Sequence, residues 1–131
     1  MNKVLFYIKI AAGIAISCIG RLTGGFDMLL SCLATLVVID YITGISAAVC
    51  TGTLSSRTGF NGIIKKLCIF IAVAVANCVG CVTGISGIRD ITVSFYIANE
   101  GISILENLGR VGVPLPEKLK SVLIQLKKEA H

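Results

Sequence analysis

The sequence is short of charge and almost devoid of histidine. Asp, Glu, Lys and Arg make up only 15% of its 131 residues, far less than a soluble domain of this size needs to clothe its surface. The lone histidine is the final residue, His131, so a Ser-His-Asp set has no interior base. No glycine-rich phosphate-binding loop is present. Glu100 and Glu106 stand six residues apart and do not share a helical face, which removes the most obvious carboxylate pair for acid–base work. There is no internal repeat and no low-complexity segment. Together these absences argue against an enzyme, and against a cofactor or a bound metal.

What is abundant is apolar surface. Hydrophobic residues account for 55% of the chain, and the mean hydropathy is +0.90. They gather in four runs, at residues 4–19, 28–49, 67–85 and 91–108. A helix that crosses a membrane needs roughly 20 predominantly apolar residues. Hydrocarbon offers the backbone no partners, so each run must satisfy its polar groups internally and is expected to be helical. The expected fold is an all-α membrane protein of four transmembrane helices, or of three if the first and shortest run lies on the membrane surface. Four such spans use most of the chain, so residues 1–131 are expected to form one membrane domain. The first run follows Met-Asn-Lys as a signal peptide would. It lacks a small-x-small cleavage site and further spans follow it, so it reads as a retained helix. Residues 51–66 read as a polar loop, residues 86–90 as a tight break, and Gly109, Gly112, Pro114 and Pro116 as the end of the fourth run. Residues 115–131 form an amphipathic tail. Leu119, Val122, Leu123 and Leu126 recur at helical spacing behind Pro116, which suits a first turn. The tail is expected on the inner leaflet or against a neighbouring subunit.

The net charge of +5 follows this layout. Lys3, Arg57, Lys65, Lys66, Arg110, Lys118, Lys120, Lys127 and Lys128 fall on one face of a four-span arrangement, and only Arg21 and Arg89 on the other. Basic residues stay in the cytoplasm, which predicts two cytoplasmic termini. They also suit anionic lipid better than nucleic acid. Cys18, Cys32, Cys68, Cys78 and Cys81 lie inside apolar runs, and Cys50 just outside one. Cys78 and Cys81 form a C-x-x-C with no second pair and no nearby histidine, so all six read as small buried apolar side chains.

A few polar residues interrupt the runs. Lys9, Asp40, Asn77 and Glu100 lie within them and Glu106 near the end of the fourth. Counting along each run puts Asp40, Asn77 and Glu100 at similar depth. A charge at mid-membrane costs roughly 2.5–3.5 kcal/mol on insertion scales, so such groups face a partner or water. They are candidates for lining or gating an aqueous path. The alternative is pairing inside one bundle, Lys9 with Asp40 for instance. Small residues recur every four positions at Ala72, Ala76, Gly80 and Gly84, and again at Gly44 and Ala48 after Asp40. Such ridges let helix backbones approach closely, within a bundle or between copies.

Three stretches carry a resemblance. They are Ile39-Asp-Tyr-Ile-Thr-Gly-Ile45, then Ser55-Ser-Arg-Thr-Gly-Phe-Asn-Gly-Ile-Ile-Lys-Lys66, then Phe95-Tyr-Ile-Ala-Asn-Glu-Gly-Ile-Ser-Ile-Leu-Glu-Asn107 continuing through Gly112-Val-Pro-Leu-Pro-Glu-Lys-Leu119. The chain resembles the toxin-secretion and phage-lysis holins from about residue 36 onward. The resemblance implies a bacterial cytoplasmic membrane protein that accumulates, assembles with further copies of itself and opens the bilayer. Endolysin or a large toxin would then be the cargo. Two other readings use the same layout: a small-ion channel or exporter, and a non-permeabilising antiholin or structural subunit.

Overall fold

The computed structural model describes residues 2–130, so His131 lies outside the described residues. Five helices follow one another: α1 Asn2–Leu22, α2 Met28–Thr51, α3 Ser56–Thr83, α4 Ile88–Val111 and α5 Glu117–Glu129. No strand is present among the described residues, and the chain is all-α as expected.

Local chemistry sets the helix ends. The Asp27 carboxylate accepts the Leu30 amide at 3.0 Å and opens α2. The Ser55 hydroxyl accepts the Thr58 amide at 3.2 Å and opens α3. Each satisfies a backbone donor that the first turn leaves free. Gly52, Gly84 and Gly112 close α2, α3 and α4 in the left-handed conformation, where a side chain is disfavoured.

These caps correct several expected boundaries. The stretch read as a polar loop at residues 51–66 is a loop only as far as Ser55. Arg57, Lys65 and Lys66 are helical because Ser55 caps the chain there and no proline follows. Polarity on one face of the new helix had the look of a linker. Gly84 is a helix stop and not a packing residue. The fourth run begins earlier, at Ile88, and ends later, at Val111.

Apolar packing holds α2, α3 and α4 together. Leu30, Leu33 and Val37 of α2 meet Ile69 and Val73 of α3 and Val93 of α4 in one buried cluster. α2 and α4 run parallel, as the contacts Asp27–Arg89 and Asp40–Asn107 require. α3 runs antiparallel to both, with Lys66 beside Asp40 and Asn77 beside Leu22. α5 folds back along α4, placing Leu123 over Gly101. The tail therefore packs on its own chain, because Gly101 leaves a seat for an apolar side chain. α1 packs on the other helices only through α3, and only Gly20 of α1 is buried.

Three helices, α1, α2 and α3, are long and apolar enough to cross a membrane. The fourth run is long enough, but Asn99, Glu100, Glu106 and Asn107 lower its apolarity. α4 tolerates them because it packs among α2, α3 and α5 and turns Glu100 and Asn107 inward. The first run, shortest in the sequence, qualifies as a crossing helix, so the three qualifying helices are not those of the surface-lying alternative. Outward faces are rich in exposed Ile, Val, Leu and Phe, as a lipid-facing surface requires. All six cysteines are exposed. They were expected to be buried; they sit instead on outward faces, where hydrocarbon suits a thiol as well as a protein core does.

Candidate functional site

Residues that line one cleft recur at helical spacing on α2, α3 and α4. On α3 the sequence 58, 61–62, 65–66 and 69 follows one face; on α4 it is 96, 99–100, 103, 107 and 110. With Asp40, Tyr41, Gly44 and Ala48 of α2 they line a cleft of about 820 Å³. Gly59 and Gly62 have no side chain to obstruct Tyr41, whose ring lies against them and whose hydroxyl donates to the Gly59 carbonyl at 3.4 Å.

At the floor of the cleft three charges from three helices meet. The Lys66 ammonium donates to Glu100 Oε2 at 2.5 Å and also to Asp40 Oδ2. Asp40 is 6% exposed and Glu100 3%. Asp40 Oδ1 accepts from Asn107 Nδ2 at 3.0 Å, and that amide also reaches the Thr43 hydroxyl at 3.2 Å. Arg110 donates to Asn107 Oδ1 at 2.8 Å. The result is one connected chain, Glu100–Lys66–Asp40–Asn107–Arg110, and no buried side-chain polar atom among the described residues lacks a partner. Such pairing offsets a desolvation penalty of several kcal/mol for each buried ion.

A second polar cluster closes the opposite end of the bundle. Arg89 donates to both Asp27 carboxylate oxygens at 2.5 and 3.1 Å, to Asp90 at 3.0 Å, and to the carbonyls of Thr23 at 2.8 Å and Gly25 at 3.0 Å. Arg89 and the Leu30 amide together hold the Asp27 carboxyl below its ordinary range.

Asp40 and Glu100 come together with Lys65 and Lys66 at the cleft, and Gly44 and Ala48 line it. Asn77 does not share their depth. Its amide donates to the Leu22 carbonyl at 3.2 Å, at the Arg89 end, because α3 starts at Ser56 and extends the helix at the other end. Lys9 is exposed on α1 and does not pair with Asp40, whose ion-pair partner is Lys66. Glu106 is exposed on α4. Ala76 is buried, and Ala72 and Gly80 are half-buried on α3. Arg57, Lys118, Lys120 and Lys128 are exposed, while Lys127 donates to Asn99 at 3.1 Å and lies 5.9 Å from the centre of the Phe95 ring. Sequence reasoning missed Lys66 as an ion partner and Asn107 as the link to Arg110. The signal was present in the spacing of residues 58, 61, 65 and 66, which is helical.

Residues 17–128 match the bacteriophage holin family. An uncharacterised protein of Halalkalibacterium halodurans is 44% identical over 92% of this chain and 93% of its own. An uncharacterised 14.9 kDa protein of Clostridium perfringens is 37% identical over 96% of this chain and 97% of its own. A protein of Bacillus phage phi105 named "Probable holin" is 41% identical over 66% of this chain and 65% of its own. No solved structure matches. With three helices long and apolar enough to cross a bilayer and a family match over most of its length, the chain belongs to the bacteriophage holin family.

Proposed function

We propose that this protein assembles with further copies of itself in the bacterial cytoplasmic membrane and opens a lesion through which endolysin or a large toxin leaves the cell. The observation that carries the reading is the charged cleft: Asp40 and Glu100 are buried, with half-buried Lys66 between them, among helices whose outer faces are apolar. A polar surface enclosed within each copy becomes the wall of an aqueous path when copies rearrange. Both termini lie in the cytoplasm, at the end where Lys3, Arg57 and Arg110 cluster. The basic residues there, with Lys118 and Lys120, hold that end to anionic lipid at roughly 1 kcal/mol each. Collapse of the membrane potential is the trigger, since a unit charge crossing the field couples at about 2.3 kcal/mol per 100 mV.

The test is inducible expression in bacteria, following membrane potential and release of a large cytoplasmic enzyme together. Wild type is expected to release the enzyme abruptly. Asp40→Leu and Glu100→Met are each expected to insert normally and abolish timed release. Release on schedule by both variants overturns the polar path. One observation favours a second reading: the cleft of a single copy, about 820 Å³, holds small solutes and no folded protein. A small-ion channel would lower the potential and retain the enzyme; an antiholin would neither lower the potential nor release the enzyme.

A further inference from the structure

The outside of the bundle has two kinds of face. α1, α2 and α3 turn large apolar side chains outward along their length, among them Phe6, Ile14, Val38, Ile42, Ile71 and Val75. Hydrocarbon suits such faces. α4 has no equivalent, since no residue from 92 to 105 is exposed. What α2 and α3 leave open on α4 is covered by α5, which packs on no other helix among the described residues. The outer side of α5 is rich in polar groups. Lys118, Lys120, Ser121, Gln125, Lys128 and Glu129 are exposed, interleaved with only three exposed large apolar side chains, Leu119, Val122 and Ile124.

Depth gives that polarity its meaning. The Arg89–Asp27 pair marks one end of α4 and α2, and α2 is long and apolar enough to cross a membrane. Counted along α4 at 1.5 Å per residue, Phe95 lies roughly 9 Å from Arg89 and Gly101 roughly 18 Å. Leu123 sits on Gly101, and Lys127 reaches Asn99 and the Phe95 ring. α5 therefore descends from the Val111 end past the middle of a hydrocarbon core about 30 Å thick. It carries Gln125, Lys128 and Glu129 down with it. Charged groups at that depth are expelled by lipid and need water or a partner. Asn99 extends the polar side further: it lines the cleft and accepts from Lys127 at once. The cleft and the outer face of α5 thus adjoin along α4.

We infer that α5 stays seated on α4 in the membrane, and that the side made of α5 and the cleft faces water enclosed between copies. The apolar faces of α1, α2 and α3 meet the lipid. The inference rests on the self-assembly proposed above, because one copy surrounded by lipid encloses no water at that depth. It names the side of each copy that lines the aqueous space, and it makes α5 part of that lining.

The test uses the full chain in bacterial membranes, with its six cysteines replaced by Ala. A Cβ at position 101 would stand 3.1 Å from the Leu123 methyl carbons, so Gly101→Cys with Leu123→Cys is expected to close an intrachain disulfide under copper–phenanthroline oxidation. A second pair, Asn99→Cys with Lys127→Cys joined by a short bismaleimide, reads the same contact and leaves Gly101 untouched. The linked chain is then exposed, from both sides of the membrane, to a charged amine reagent that does not enter lipid. Modification is read lysine by lysine by mass spectrometry, relative to the unfolded chain. Lys118 lies towards the cytoplasmic end and serves as the reference. Lys128 is expected to react within about fivefold of Lys118, because water reaches both. Failure of both pairs to link, or a wider lag at Lys128 in the linked chain, overturns the inference. Enzyme release is scored separately: a linked chain with a reactive Lys128, but no release from wild type, keeps the inference and sinks only the lytic reading.

Discussion

At the scale of single residues, the decisive fact is that Lys66 serves two carboxylates at once. Removing it leaves Asp40 and Glu100 buried without a counter-charge, and breaking a buried pair in this way costs about 3–5 kcal/mol. Lys66→Met is therefore expected to lower stability in detergent by that amount, read from denaturant or thermal unfolding. Lys65→Met, one position away and exposed, should stay within about 0.5 kcal/mol of wild type. Asp27 makes a prediction in pH. Arg89 depresses its folded pKa below the ordinary 3.8, so its contribution is complete above that value and fades as pH falls through the depressed one. The difference in melting temperature between wild type and Asp27→Asn should be constant near neutrality and close only below about pH 4.

At the scale of elements, two glycines govern how helices meet. Gly101 receives Leu123 of α5, and a Cβ there would stand 3.1 Å from its methyl carbons. Gly101→Leu overpacks the seat at about 1–3 kcal/mol. Tryptic cleavage at Lys127 and Lys128 is expected to quicken about tenfold as α5 lifts away. Gly24 turns the chain from α1 to α2 with φ +90°, and a Cβ there would stand 2.7 Å from Asn77 Oδ1. Gly24→Ala combines a left-handed backbone, roughly 1–2 kcal/mol, with that clash. Gly25→Ala carries only the backbone strain at φ +101°, with nothing within 4 Å, so it should melt above Gly24→Ala.

At the scale of the whole molecule, the charge layout predicts an orientation. In chains lacking the native cysteines, Ser86→Cys between α3 and α4 should react with a membrane-impermeant thiol reagent on intact cells. Thr53→Cys between α2 and α3 should react only after lysis. The α2–α4 pairing also explains why α4 joins the bundle without the apolarity to cross alone: it lies along α2 from Asp27 to Asp40 and turns its polar face inward.

Much of this was legible in the residue order. Long apolar runs demand helices wherever hydrocarbon is the solvent, so the all-α class and the approximate positions of the helices followed from hydropathy alone. Asp40 and Glu100 stood out because an ionisable side chain in such a run needs company. Which company was decided only by tertiary structure. Hydropathy cannot distinguish a polar linker from a helix with one polar face, so Lys66 read as part of a loop until Ser55 capped α3 and carried it inward. Asn77 looked level with Asp40 and Glu100 for the same reason. Depth depends on where a helix begins, and three-dimensional packing then sets which faces meet.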